Sequence, residues 1–95
     1  MYLGKVIGTV VASHKDDALT GLKFLVVQRL TTDASPTDQY VVAIDAVGAG
    51  PDEVVMIATG SSARQTTLTD KRPCDAVIMA IVDSWEIQGD EKYRK

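Results

Sequence analysis

The sequence predicts an all-β domain: a small five-stranded barrel with one short helix after the fourth strand. Three observations carry this. Valine and isoleucine gather in five runs separated by turn-forming residues, while good helix runs are scarce. The chain has 95 residues, the size of one domain. Gly4 and Gly8 alternate with Val6 and Val10 on one face of the first run, which lets that strand coil as tightly as a small barrel needs. Together they describe a closed or nearly closed barrel of the OB-like kind.

Taken in order, the first strand spans residues 2–13. Lys5, Thr9 and the glycines break its apolar run, so it reads as a strand and not as a signal peptide. Residues 16–21 make a turn, and the second strand covers 22–30. Residues 31–39, TTDASPTDQ, are polar and contain Pro36, which predicts a mobile surface loop. The third strand covers 40–47. A glycine turn over 47–52 leads to the fourth strand at 53–59. Residues 60–65 start the short helix, with Ser61 or Ser62 as N-cap. Pro73 and Asp75 punctuate the entry to the last strand, residues 76–87. The barrel thus occupies residues 1–88, and 89–95, GDEKYRK, form a charged C-terminal tail expected to extend or fray.

Composition narrows the function. A chain this short buries about 60–65% of the surface exposed by its unfolded form, so association with partners is a natural source of stability. Net charge is −3 with acids and bases well mixed, which argues against nucleic acid or anionic lipid as a partner. The aromatic residues are only Tyr2, Phe24, Tyr40, Trp85 and Tyr93, too few for a base-stacking platform. Cys74 is the only cysteine; no intrachain disulfide can form, and a reducing cytosol fits. No apolar run is long enough to cross a bilayer, so no membrane partner is expected.

Strand faces point further. A solvated barrel alternates apolar-in with polar-out. Here the third strand sets Tyr40, Val42 and Ile44 against Val41, Ala43 and Val47. The fourth sets Val54 and Met56 against Val55 and Ile57. The last sets Ile78 and Val82 against Val77, Met79, Ile81, Trp85 and Ile87. Both faces cannot point into one small barrel. Another subunit is the economical cover for the outer face; the alternative is that the short helix and long loops cover it.

Catalytic constellations are nearly absent. His14 is the only histidine, and its neighbours Ser13 and Asp16 belong to a solvated turn, since triads are assembled from distant segments. One histidine and one cysteine do not make a zinc site. Gly48-Ala49-Gly50 is a lone GxG whose third fingerprint position is Glu53, so nucleotide-loop readings fail. Asp45 and Asp83 sit on strand faces among apolar neighbours. A buried carboxylate needs a partner, and Arg64 is the candidate, within the subunit or across an interface. An acid–base pair of Asp45 and Asp83 is the weaker reading, because no nucleophile, metal set or phosphate loop accompanies them. Ser61 and Ser62 read as helix caps before anion binders, and Cys74 as a small buried side chain before a reactive thiol.

Several ordered segments resemble the EutN/CcmL family of bacterial microcompartment vertex proteins. They are Leu3-Gly4-Lys5-Val6-Ile7-Gly8-Thr9-Val10-Val11-Ala12, Leu19-Thr20-Gly21-Leu22-Lys23-Phe24-Leu25-Val26-Val27-Gln28, Ala43-Ile44-Asp45-Ala46-Val47-Gly48-Ala49-Gly50 with Glu53-Val54-Val55, Gly60-Ser61-Ser62-Ala63-Arg64, and Asp75-Ala76-Val77-Ile78 through Ile81-Val82-Asp83. The resemblance covers almost the whole chain. It implies an OB-like barrel assembling as a homo-pentamer at the corners of polyhedral shells, in contact with hexameric shell proteins. Those shells enclose enzymes in carboxysomes or metabolosomes in the bacterial cytoplasm. It implies no catalytic residues, cofactor or metal. The turn departs from the family in having Pro51-Asp52 where a second glycine is frequent, which stiffens it. The candidate subunit-interface and turn residues are Asp45, Gly48, Ala49, Gly50, Glu53, Gly60, Ser61, Ser62, Arg64 and Asp83. The competing expectation is a small OB-type ligand- or nucleic-acid-binding module.

Overall fold

The computed structural model describes residues Met1–Lys95. Strands β1 (Tyr2–Val10), β2 (Phe24–Leu30), β3 (Pro36–Asp45), β4 (Val54–Thr59) and β5 (Ala76–Ile81) close a barrel in the order β1-β2-β3-β5-β4. The pairings are antiparallel except β3–β5, which is parallel through Ile44 with Val77 and Asp45 with Ile78. Two short 3-10 turns, Asp17–Leu19 and Gly60–Arg64, lie between strands. The expected five-stranded, OB-like barrel is therefore present, with its short helix after the fourth strand.

Inside, Val6, Leu25, Val27, Val55, Ile57 and Ile78 form the barrel core with three alanines, Ala43, Ala49 and Ala76. Gly4 is buried against β2: a Cβ there would collide with Val27 Cγ1 and lie 3.1 Å from the Gln28 carbonyl oxygen. A bulge between Val6 and Gly8 then shifts the register. Val6 is 2% exposed, whereas Val10 is 37% exposed. Val10 consequently does not share one continuous face with Gly4 and Val6, as the sequence alternation implies.

A second cluster sits outside the barrel. Leu22, Ile44, Ala58, Ala63 and Val77 pack together, flanked by Leu19, Phe24, Ala46 and Cys74. The Gly60–Arg64 turn supplies Ala63 to this cluster. The chain thus covers part of its own outer apolar face. It does not cover Tyr40, Val42, Ile7, Val11 or Met79, which remain exposed.

Several boundaries differ from the sequence reading. β1 stops at Val10, the residue that pairs with the first residue of β2, and residues 11–13 have no strand partner. β2 begins at Phe24 because Leu22 turns into the outer cluster. β3 begins at Pro36, inside the expected loop, and pairs back to Leu30. Its polar residues make a solvent-facing ribbon, tied by Gln28 Nε2 donating to the Thr37 carbonyl (2.7 Å) and Thr37 Oγ1 to the Arg29 carbonyl (2.7 Å). Only a turn over 31–35 is left of the loop, with Thr31 Oγ1 accepting from the amides of Asp33 and Ser35.

The last run splits after Ile81. Residues 84–95 contribute a separate hairpin, β6 (Ser84–Ile87) with β7 (Asp90–Arg94). Gln88 and Gly89 turn it, both at positive φ (52° and 82°), the geometry of a tight two-residue hairpin. The charged segment expected to fray is the second arm of this hairpin. Trp85 and Tyr93 stack across it with ring centroids 5.1 Å apart. Trp85 Nε1 donates to the Thr32 carbonyl (2.8 Å), and Lys92 lies 3.4 Å from Asp33. Polar sequence marked solvent exposure here, not absence of strand.

Candidate subunit-interface site

Two corners hold most of the residues singled out from sequence. The first joins β3 to β4. Asp45 ends β3 and is buried. Its Oδ1 accepts from the amides of Val47 and Gly48, each at 3.0 Å. Its cationic neighbour is Lys23, with Nζ 3.9 Å from Oδ2. Lys23 Nζ also donates to the Ala49 carbonyl at 3.5 Å. The expected Asp45–Arg64 pair does not form within the subunit. Two backbone donors already satisfy the carboxylate, which is how a short strand-ending acid organises a turn.

Gly48 carries φ 77°, a conformation costly for other residues. Ala49 is buried in the barrel core. Gly50 N donates to Glu53 Oε1 (2.6 Å), and Glu53 N donates to the Gly50 carbonyl (3.3 Å). Asp52 takes φ 64°, so at Pro51-Asp52 an aspartate occupies backbone space that glycine enters freely. The turn is stapled to β1: Val6 N donates to Glu53 O, and Asp52 N to Val6 O, each at 2.9 Å. Glu53 belongs to this turn and not to β4.

Glu53 reaches further than its turn. Its Oε2 lies 2.8 Å from Lys95 Nζ. Lys95 first, then the Gly50 amide, holds the Glu53 carboxyl below the usual carboxylate range. The same contact raises Lys95. Lys95 N also donates to the Asp83 carbonyl at 2.8 Å. Asp83 itself is exposed, beyond the end of β5. No hydrogen bond or ion pair joins Asp83 to Asp45 or to Arg64.

The second corner follows β4. Gly60 N donates to the Asp75 carbonyl (2.8 Å). The N-cap is Thr59, in extended backbone without a side-chain bond, so neither Ser61 nor Ser62 caps the turn; both are exposed. Ala63 is buried, and its carbonyl accepts from Thr69 Oγ1 at 2.6 Å. Arg64 is exposed and donates through Nη1 to the Cys74 carbonyl at 3.0 Å. Cys74 is half-buried, and burial pushes its thiol up. No group of three or more His, Cys, Asp or Glu is placed to hold a metal ion.

Both corners are held by hydrogen bonds to backbone groups, and the second presents one outward arginine and two outward serines. The family model described as "Ethanolamine utilisation protein EutN/carboxysome" matches residues 1–83. The chain belongs to the EutN/CcmL family. It is 44% identical over 95 residues to the carboxysome shell vertex protein CcmL of Gloeobacter violaceus, covering 100% of this chain and 95% of that one. It is 51% identical over 86 residues to the bacterial microcompartment shell vertex protein GrpN of Rhodospirillum rubrum, covering 90% and 97%. The solved structure of Gloeobacter violaceus CcmL superposes with a TM-score of 0.96 over 100% of this chain and 98% of its own. GrpN of Rhodospirillum rubrum, described as a pentameric microcompartment shell protein, superposes at 0.84 with 48% identity, over 92% and 100%.

For this EutN/CcmL member, sequence reasoning located the corner residues but not their partners. Lys23 was overlooked as the cation beside Asp45, although its place one residue before β2 sets it across from the end of β3. Lys95 was overlooked because it lies 42 residues from Glu53. The hairpin of residues 84–95 lies outside the matched span of the family model.

Proposed function

We propose that this EutN/CcmL-family protein is a structural shell component: a homo-pentamer that caps the vertices of a bacterial microcompartment in the cytoplasm. One observation carries the reading, the near-full-length likeness to GrpN, a shell protein described as pentameric, at 48% identity. The barrel's surface supports it. Tyr40 and Val42 are 59% and 49% exposed on adjacent rows of β3. Val42 stands in register with Val26, and Val26 with Gly8, giving a weakly polar strip across three strands. Such a strip is an interface in waiting.

A ring needs two different patches per subunit, one facing each neighbour. The strip supplies one patch, and the two corners supply the other. In this assignment Gly48, Ala49 and Gly50, with Asp45 and Glu53 behind them, hold the first corner rigid. Gly60, Ser61, Ser62 and Arg64 present the second corner to the neighbour, and Asp83 stands beside the hairpin base. The pentamer rim then meets hexameric shell proteins. The protein acts by assembly, without catalysis. Native mass spectrometry tests this: a dominant five-subunit species is expected, and a single folded subunit at micromolar concentration overturns the proposal.

A further inference from the structure

Two surface features lie beside the corners and the strip, sharing with them only Lys23, the neighbour of Asp45. The first is a groove of about 410 Å³ between the end of β1 and the start of β2. Val10, Val11, Ala12, Leu22 and Phe24 give it an apolar lining, and Lys15 and Lys23 add two cations. Val11 is 92% exposed, an unfavourable state for a valine beside other apolar surface. Lys15 Nζ reaches only the Ala12 carbonyl (3.2 Å), and the Lys23 side chain is 59% exposed despite its contact with Asp45.

The second feature is the tip of the β6–β7 hairpin. Ile87 is 37% exposed there, among the exposed acids Glu86, Asp90 and Glu91. Glu86 and Glu91 stand directly opposite each other in the hairpin register, and like charges so placed repel. Glu91 pairs with Arg94 (2.7 Å) and Asp90 with Lys92 (2.8 Å), whereas Glu86 accepts only from the Gly89 amide. No hydrogen bond or ion pair ties residues 86–91 to the barrel.

We infer that the hairpin tip of one copy seats in the β1–β2 groove of the next copy around the ring. An aliphatic side chain framed by acids meets an apolar groove holding two lysines, so shape class and charge sign both match. Leu68, another exposed aliphatic residue, has Asp70 and Lys71 beside it and lacks that match. The two patches lie on different elements, as a head-to-tail contact requires. The inference rests on the pentameric reading above and adds a named contact to it.

Cysteine cross-linking tests it. Val11→Cys and Ile87→Cys are combined in a Cys74→Ala background, and native mass spectrometry is run on the same sample before oxidation. The expected result is a pentamer that oxidises to a covalent ladder ending at five chains on a non-reducing gel. In the reduced protein, Lys15→Glu or Glu86→Lys alone is expected to weaken the ring roughly tenfold, and the two together to restore it. Pentamers that yield only single chains, cross-linked internally or not at all, overturn the inference and leave the pentamer standing. A ladder running past five places the contact between rings and also overturns it. A monomer in the native spectrum overturns the pentameric reading itself.

Discussion

Gly4 and Gly8 look alike in sequence, yet they face different surroundings. A Cβ at Gly4 meets Val27 Cγ1 and the Gln28 backbone inside the barrel, whereas one at Gly8 finds Val26 Cβ at 3.8 Å, an ordinary contact. Gly4→Ala is therefore expected to cost about 1–3 kcal/mol through overpacking. The melting temperature should drop by roughly 4–8 °C for each kcal/mol lost. Gly8→Ala should leave it nearly unchanged, so paired thermal melts check the contrast. Asp45 offers a second residue-level test. Asp45→Ala removes the acceptor for the Val47 and Gly48 amides and should cost about 1–2 kcal/mol. Asp45→Asn keeps an oxygen at that place and should retain most of the stability in chemical denaturation. Gly48, at φ 77°, should cost about 1–3 kcal/mol when replaced by valine.

At the scale of elements, the hairpin is joined to the β3–β4 turn through Glu53. That carboxylate holds Lys95 on one side and the Gly50 amide on the other. The Glu53 carboxyl is lowered on folding, chiefly by Lys95. Its contribution is thus complete above the unfolded carboxylate value of about 4.3 and is lost as pH falls through the lower folded value. Lys95 is raised, chiefly by Glu53. Its contribution is complete below about 10.4 and is lost as pH rises through the higher folded value. The link is engaged between those limits. An NMR titration should show the Gly50 amide resonance moving only in acid below about pH 4.3, and Glu53→Gln should abolish that movement. This link also marks what the sequence could carry. Val- and Ile-rich runs announced the five barrel strands, because strand burial leaves a local pattern. The β7 arm, DEKYR, and the start of β3 left none, since both are ribbons in water. Partners were harder still. Arg64 bonds a backbone carbonyl, not an acid, and every residue carries such an acceptor. Glu53 and Lys95 meet only after the barrel has closed.

For the whole molecule, the balance of surface decides the assembly. One subunit exposes 5807 Å². A specific interface takes on the order of 800 Å² from each partner. A ring member has two such faces, so roughly a quarter of its surface is committed to neighbours. The outer cluster around Ala63 already accounts for part of the apolar exterior, which leaves Tyr40 and Val42 of the strip without cover from their own chain. Val42→Asp separates folding from assembly, because that side chain is 49% exposed and its replacement opens no core cavity. The variant should keep its far-ultraviolet spectrum and melt as a folded subunit, while sedimentation velocity shows the five-subunit boundary lost. Arg64→Glu reverses the one outward cation of the second corner and should shift the same boundary in the same direction, without unfolding, since its bond to the Cys74 carbonyl is on the surface. An unchanged pentamer in the first variant would remove the strip from the interface, and in the second it would remove the corner. With both unchanged, the ring would have to close through the hairpin and groove alone, and Ile87→Asp would then be the substitution that opens it.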